Sequence, residues 1–244
     1  MKSKSAILLI LGLLIKSAFA AHPLSSDDSV VQGKDKQQLE LNTDSVRFQG
    51  ERVQVGDITY TYGVNDDLDA FLNLPMNLSR PSGIADVSAG GKWQFKEYLG
   101  HLLAFKAALF LPSGNQQRGI GQGRYSLDMG LIDSYTRSAW TVHGNLMLTA
   151  SRYQHSEDRA ENRKMVWRAS TAVMYQANAK WTLTVDTGFT QADSKAVSSR
   201  PVYLLGGIIY SPNTNMDLDV GIRRERIAGN TEKRLGIGLT MRYQ

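Results

Sequence analysis

The chain has 244 residues, a formal net charge of +5 and no cysteine. Without cysteine it has neither disulfides nor a thiolate that could serve as nucleophile or metal ligand. Three of the positive charges, Lys2, Lys4 and Lys16, lie in the first twenty residues, so the rest of the chain carries only +2 and its charge gives no support to nucleic-acid binding.

The first twenty residues have the organisation of a secretory signal peptide. Lys2 and Lys4 precede an apolar run over residues 6–15, and Ala18-Phe19-Ala20 is a small-residue cleavage sequence. A membrane anchor is the alternative, but the run has only about half of the ~20 apolar residues that a spanning helix needs. We therefore expect residues 1–20 to direct export and to be removed by cleavage after Ala20.

Residues 21–36 form a polar arm rich in turn-forming residues. His22, Pro23, Asp27 and Asp28 stand near its start, and proline and aspartate favour turns over paired strands. His22, Asp27 and Asp28 are too few ligands on such an arm to fix a metal ion, so we predict no metal site here.

From residue 37 onward, apolar and polar residues alternate with a period of two. In the final segment the apolar positions 235, 237, 239, 241 and 243 are separated by glycine or polar residues. This alternation predicts β-strands with one apolar and one polar face, and helical spacing does not fit it. The predicted strands cover residues 37–48, 52–63, 68–79, 84–96, 101–112, 124–135, 139–153, 164–176, 180–192, 201–211, 216–226 and 233–244.

Strand and link lengths together favour a membrane barrel over a soluble β-sandwich. Most segments have about ten residues or more, against ~5–6 in a usual soluble strand and ~9–11 in a tilted membrane-spanning strand. Every second link is short, whereas three of the alternate links are long and polar, as in barrels with short periplasmic turns and long external loops. We predict an all-β fold, a transmembrane antiparallel β-barrel of about 12 strands over residues 37–244, with the short N-terminal arm on its periplasmic side or in its lumen.

The polar face of the predicted strands carries many charges. A soluble barrel would turn its apolar residues inward, whereas a membrane barrel turns them toward lipid and lines its lumen with polar groups. So many charges could not fill a dry core, because each would need a buried partner. The candidate lumen-lining residues are Asp86, Lys92, Lys106, Asp128, His143, Arg168, Asp186, Asp217, Asp219, Arg223 and Arg242.

Two further features bear on the lumen and on the membrane surface. Glycines in the polar register, at 90, 130, 188, 221, 236 and 238, are expected to leave space in the lumen or to let the strands curve. Aromatic residues at segment ends on the apolar face suit an interfacial girdle, with ordinary core packing as the alternative. These aromatic residues are Tyr60, Trp93, Tyr125, Trp140, Trp167, Tyr175, Trp181 and Tyr243.

The arm has two alternative roles. Asp27 and Asp28 could pair with lumen cations such as Arg168 or Arg223, which would make the arm a gate. The simpler interpretation, which the sequence favours, is a solvated turn at the start of the barrel.

No set of residues predicts catalysis. His155 and Ser156, with Asn162 nearby, are the residue types of an outer-membrane phospholipase, but adjacent residues of a strand point to opposite faces. The sequence GIGQG lies between strands and is not followed by the lysine of a phosphate loop. The sequence therefore predicts neither an enzyme nor a bound cofactor.

HPLSSDDSVVQGKDKQQLEL, residues 22–41, and FKAALFLPSGNQQRGIGQGRYSLDMGLIDSY, residues 105–135, resemble the outer-membrane family of the MetA pathway of phenol degradation, whose members are often labelled simply "transporter". The family has an H-P-L-x-T-D-D arm, a Q-G-x-G-like turn and a Q-x-E-L first strand, and Ser26 stands here in place of the usual Thr. Residues 105–135 and the following WTVHGNLML are similar to the family's strand ending in L-P-T-G, its glycine-rich loop and the strands after it. The matching arm residues are His22, Pro23, Leu24, Asp27, Asp28, Gln32, Gly33, Gln38 and Glu40.

The resemblance implies a location and a general role. It implies the outer membrane of a Gram-negative bacterium, with outer-membrane lipid and the barrel-assembly machinery as partners. It also implies a passive channel for a small, hydrophobic or aromatic solute. The alternative is a structural or surface-interaction barrel whose lumen is filled and whose external loops carry the function.

Overall fold

The computed structural model describes residues 22–243, so the predicted signal peptide and its cleavage site at Ala20 lie outside the described residues. Helix is confined to a 3-10 turn, Gln116–Arg118, and a short helix α1, Ser156–Glu161, within that range. Neither is long and apolar enough to cross a membrane. The strands are β1 Gln37–Phe48, β2 Glu51–Gly63, β3 Leu68–Asn77, β4 Gly83–Ile84, β5 Ser88–Tyr98, β6 His101–Phe110, β7 Arg124–Arg137, β8 Trp140–Tyr153, β9 Met165–Gln176, β10 Trp181–Thr190, β11 Val202–Asn213, β12 Met216–Ile227 and β13 Asn230–Tyr243.

The strands close into one antiparallel barrel. Apart from β4, each strand pairs with the next strand along the chain, and β1 pairs with both β2 and β13, so that Leu41 lies between Ile58 and Leu239. The two-residue β4 pairs only with the end of β3 and β5 takes the next place in the wall, which leaves twelve strands in the barrel. The predicted fold class, a twelve-stranded antiparallel barrel, is confirmed.

The fourth predicted strand differs most from the observed one. Residues 84–96 were expected to form it, whereas β5 runs from Ser88 to Tyr98. The reason is that Gly83–Ile84 pairs separately with β3 and that Asp86 belongs to a loop, where its carboxylate accepts hydrogen bonds from the backbone N–H groups of Gly114 (3.0 Å) and Gln122 (2.6 Å). Burial raises the pKa of Asp86 above its ordinary value, although these two backbone donors oppose the rise.

The outer surface of the barrel is apolar and its interior is polar. Ile222 is 61 % exposed and Leu204 60 %, whereas Asn73 and Asp186 are fully buried. This is the reverse of a soluble protein, in which apolar surface is removed from water and charges stay outside. An apolar outer band of this kind is stable when lipid covers it.

The two ends of the barrel differ. At one end lie the links after β2, β5, β7, β9 and β11, none of which exceeds four residues. This end is called the short-turn end. The other, the long-loop end, carries residues 111–123, 154–164 and 191–201, which bind one another: Gln116 donates to Asp158 (3.0 Å), and Arg163 donates to the carbonyl of Ala192 (2.9 Å). Ser156 begins α1 within the second of these loops, so His155 and Ser156 do not lie on a strand.

Aromatic side chains surround the short-turn end on the outer face. Trp140 lies 4.6 Å from Tyr175 and Trp181 lies 4.6 Å from Tyr210, measured between ring centroids. Tyr60, Trp93 and Tyr243 are also exposed, whereas Tyr125 and Trp167 lie toward the long-loop end. These positions on the outer face are those of an interfacial girdle and not of a core.

Candidate functional site: the lumen and the arm inside it

The N-terminal arm lies inside the barrel and follows its inner wall. The path begins at β3, passes β7, β8 and β10, and ends at β12, so one short segment crosses most of the lumen. Its hydrogen-bonded pairs, in that order, are Gln32 with Asp69 (3.0 Å), Ser29 with Ser134 (2.9 Å), Asp27 with Asn145 (2.8 Å), Ser26 with Asp186 (2.7 Å) and His22 with Asp219.

Asp27 and Asp28 of the arm are paired with lysines of the wall. The carboxylate of Asp27 lies 2.7 Å from Nζ of Lys106, and that of Asp28 lies 3.4 Å from Nζ of Lys92. Burial opposes ionisation of Asp28, but Lys92 and the other favourable contacts outweigh it and lower the pKa of that carboxyl. The arm therefore pairs with lumen cations, and its interpretation as a solvated turn is wrong.

The expected partners of the arm, Arg168 and Arg223, are engaged elsewhere. Arg168 binds Asp128 on β7, and Arg223 lies 2.8 Å from Glu225 on its own strand. Asp27 and Asp28 instead meet cations on β6 and β5, since this part of the arm lies against those strands, next to the contact of Gln32 with β3.

A fully buried carboxylate on β10 holds the turn of the arm. Asp186 accepts hydrogen bonds from the backbone N–H groups of Ser25 (2.6 Å) and Ser26 (2.7 Å), from the hydroxyl of Ser26 (2.9 Å) and from the hydroxyl of Tyr203 (2.8 Å). Four donors satisfy a charge that would otherwise be costly to bury. Three of these four donors belong to the arm, so Asp186 is its principal anchor.

His22, at the first described position of the arm, is held between two carboxylates. Its Nδ1 bonds to Asp219 and its Nε2 lies 3.7 Å from Asp44. Burial by itself lowers the pKa of His22, but the contacts with Asp219 and Asp44 outweigh it and raise the pKa to about 9. His22 is therefore protonated at neutral pH and forms a charged triad with the wall.

The inner wall carries glycine where the arm approaches it. A Cβ atom placed on Gly236 would lie 2.5 Å from Nε2 of His22, and one on Gly221 would lie 2.5 Å from Cβ of Pro23. Gly238 similarly faces His22. The prediction that these glycines leave open space in the lumen is therefore wrong, because the arm occupies that space.

The other glycines of the polar register make room for neighbouring side chains. Cβ atoms on Gly90 and Gly188 would lie 2.6 Å from Phe71 and 2.8 Å from Tyr203, and Gly130 faces Met147. At these three positions the backbone lies against a large inward side chain, so the missing side chain of glycine does not widen the lumen.

The predicted lumen-lining residues divide into groups. Ten of the eleven lie on strands with inward side chains, whereas Asp86 lies in the loop before β5. Lys92, Lys106, Asp186 and Asp219 bind the arm, and His143 bonds to Ser134 (2.8 Å), which in turn accepts a hydrogen bond from the arm. The remaining five bind inward-facing wall groups: Asp128 pairs with Arg168, Asp217 with Arg242 (2.6 Å) and Arg223 with Glu225.

Several residues of the site were not among those predicted. Asp44, Asp69 and Asn145 contact the arm, and Glu40 and Asp57 line the lumen. All five occupy polar positions in the alternation of β1, β2, β3 or β8, so the same period-two rule identifies their face. Their contacts with the arm have no sequence signal.

A cavity of about 760 Å³ remains beside the arm. It is lined by the arm and by inward side chains of β1–β3, among them Glu40, Asp57, Thr59 and Phe71. Toward the short-turn end it reaches Asn215 and Tyr243, and toward the other end it reaches Arg223 and Arg234. Carboxylates and cations both line it, together with apolar surface from residues such as Met76 and Ile209.

The fold is that of outer-membrane channels and porins. An outer-membrane channel from Pseudomonas putida F1 superposes with a TM-score of 0.70 at 13 % identity, covering 88 % of this chain and 98 % of the other. The NanC porin gives a TM-score of 0.64 at 11 % identity, covering 82 % and 98 %. The KdgM porin in complex with disordered oligogalacturonate gives 0.62 at 7 % identity, covering 84 % and 99 %.

Sequence comparison assigns the family. No protein with curated function matches the chain. The family model described as "Putative MetA-pathway of phenol degradation" matches residues 23–242, from the arm to the last strand. Because this match covers nearly the whole described chain, the protein belongs to the family of the MetA pathway of phenol degradation.

Proposed function

We propose that the protein is an outer-membrane channel through which small molecules pass by diffusion. The observation that carries the proposal is the polar cavity inside a closed barrel whose outer surface is apolar. The chain would be exported by its leader, released by cleavage after Ala20, and inserted by the barrel-assembly machinery of a Gram-negative bacterium. The name of the Pseudomonas putida neighbour, an outer-membrane channel, is consistent with this role.

The size and lining of the cavity support a small solute with an apolar part. About 760 Å³ lies within the range of small-molecule sites, ~300–1,000 Å³. Phe71, which is 8 % exposed and has Nζ of Lys106 5.1 Å from its ring centroid, adds apolar surface to the lining, and Glu40 and Thr59 line the same cavity with polar groups. A phenol-sized molecule has both kinds of surface, which agrees with the description of the family.

The arm is proposed to act as the gate. It is held by hydrogen bonds and by the ion pairs of Asp27 and Asp28, all of which can break without a covalent step. A solute larger than the remaining passage would require the arm to shift from the wall. Passage would then depend on how firmly Asp186 and the two lysines hold it.

The alternative function is a structural or surface-interaction barrel. The arm inside the lumen and the mutually bonded long loops favour it, because both reduce the space for diffusion. Deletion of residues 114–123 distinguishes the two: it should change permeation if the protein is a channel, and only the binding of an external partner if it is not.

The proposal is tested with purified protein in planar bilayers and in liposomes. We expect small single-channel currents and entry of phenol-sized solutes into liposomes. Removal of residues 22–31 should increase both, since those residues occupy the lumen. Complete absence of currents and of uptake, in the intact protein and in the deletion variant alike, would refute the channel.

A further inference from the structure

Four cations form a row across four neighbouring strands at the long-loop end. Arg52 on β2 lies opposite Arg47 on β1, Arg47 opposite Lys233 on β13, and Lys233 opposite Arg224 on β12. Cross-strand partners share one face of the sheet, so these side chains stand side by side. Neighbouring strands are ~4.8 Å apart, and the row therefore spans about 14 Å of backbone.

The row faces the outside of the barrel. Its four residues are exposed, whereas the residues next to them, Val46 and Glu232, are buried on the inner face. Arg226, two positions beyond Arg224, is exposed on the same face. Together these five residues are called the basic row.

No carboxylate lies on the outward face of β12, β13, β1 or β2 among the residues that the structure describes. The cations on the inner face of the same strands are paired: Arg223 lies 2.8 Å from Glu225, and Arg234 lies 3.2 Å from Glu232. The inward cations are therefore neutralised by neighbouring carboxylates, whereas the outward cations have no carboxylate on their own face of these four strands.

The basic row lies at the edge of the apolar band. The next outward row has Ile222 and Leu235, 61 % and 49 % exposed, below Arg224 and Lys233, and the polar Ser45 and Gln54 below Arg47 and Arg52. A shallow groove of about 260 Å³ joins the two levels. Its lining residues are Arg47, Arg52, Lys233, Arg234, Ser45, Ile222 and Leu235. A ligand that fits this groove carries negative charge where it meets the basic row and hydrocarbon where it meets Ile222 and Leu235.

Like charges on directly opposite cross-strand positions repel one another. An anion placed among them removes that repulsion, and the planar guanidinium group is especially suited to phosphate because it donates two parallel hydrogen bonds. Long cationic side chains near the membrane interface can also extend toward head groups while their stems stay on apolar surface.

We infer that the basic row binds the phosphate groups of an anionic lipid in the leaflet at the long-loop end, with the lipid's acyl chains on the apolar band below. Four cations over about 14 Å of backbone are enough to pair with the two phosphates of one head group. The inference rests on the proposed position of the barrel in a membrane, but it does not depend on whether the lumen conducts.

The test compares lipid binding by the intact barrel and by a triple variant, Arg47→Gln with Arg224→Gln and Lys233→Gln. The probe is diphosphoryl lipid A in detergent micelles, titrated while the barrel's resistance to heat unfolding is followed on gels. Each cation near an anionic lipid surface contributes enough to change binding about fivefold, so removal of three should weaken binding on the order of a hundredfold. The matched control, Lys96→Gln with Arg137→Gln and Lys180→Gln, removes three exposed cations at the short-turn end and should bind as the intact barrel does.

Several results would overturn the inference. One is that the triple variant binds lipid A as tightly as the intact barrel does. Another is that the control variant loses as much lipid A binding as the triple variant. The third is saturation of the site by inorganic pyrophosphate alone, which would indicate a site for free anions. If the triple variant does not fold, the single change Arg224→Gln is measured instead and should weaken binding severalfold. Failure of the channel proposal would appear as absent conductance with lipid binding intact.

Discussion

Replacement of Asp186 by asparagine is predicted to release the arm from the lumen wall. Asp186 is fully buried and its carboxylate accepts three hydrogen bonds from the arm, two of them from the backbone of Ser25 and Ser26. A hydrogen bond to a charged group contributes about 1.5–3 kcal/mol and one between neutral groups about 1 kcal/mol. Asp186→Asn keeps the shape but removes the charge, so docking of the arm should weaken by about 2–3 kcal/mol, or roughly 30- to 150-fold.

The released fraction is measured through a unique thiol. The chain contains no cysteine, and Ser29 of the arm is fully buried, so Ser29→Cys reports exposure of the arm through its rate of labelling by a maleimide. When opening is faster than labelling, this rate is proportional to the open fraction. Asp186→Asn should therefore accelerate labelling by the factor given above, and channel currents should increase in parallel.

Asp217→Asn is the matched control. Asp217 also lies on the inner wall, but it binds Arg242 and Ser211 and makes no hydrogen bond to the arm. Asp217→Asn should leave the labelling rate of the Ser29→Cys reporter within about twofold of that of Ser29→Cys alone. The reasoning about Asp186 fails if labelling and currents are unchanged in Asp186→Asn while the gel shift on boiling shows an intact barrel.

Three further predictions concern the arm. Gly236→Val places a side chain where the His22 ring lies, so labelling of the Ser29→Cys reporter should increase with the barrel retained; an unchanged rate would show that His22 is not docked there. Lys106→Met leaves the half-buried carboxylate of Asp27 without the lysine that it pairs with, which costs about 3 kcal/mol, the lower end for a buried pair, so labelling should increase about as much as in Asp186→Asn. The pKa of His22 is raised from 6.5 to about 9, so its contribution to docking is complete below about pH 6.5 and is lost as the pH rises through about 9. Labelling, corrected for thiol ionisation with a free thiol standard, should therefore accelerate between pH 7 and pH 10, and His22→Gln should remove the part of this acceleration that is centred near pH 9.

The sequence pattern did not predict which cations of the wall pair with the arm. Asp27 and Asp28 are recognisable as acids on a polar segment, and Lys92 and Lys106 as cations on the polar face of their strands. Which acid meets which cation depends on the path of the arm across the lumen. That path follows from anchors on β3, β7, β8 and β10, which are distant in sequence from residues 22–36.

For the glycines of the inner face, the pattern predicted their positions but not what occupies the space beside them. Gly221 and Gly236 alternate with apolar residues and so belong to the inner face, as the pattern predicts. An absent side chain, however, can leave a space or admit another group, and the pattern does not distinguish the two. The approach of Pro23 and His22 to these positions is a property of the closed barrel with its arm inside.

The sequence by itself determined the number of strands, their approximate limits, the face that meets lipid and the end that carries the long loops. These properties are local, because a period of two places alternate side chains on opposite faces of any strand. The tertiary structure alone decided the closure of β1 against β13, the ring of contacts that holds the arm, and the alignment of Arg52, Arg47, Lys233 and Arg224 in one row. Each of these depends on the register between strands or on contacts between distant segments, and neither property is encoded in the alternation of a single strand.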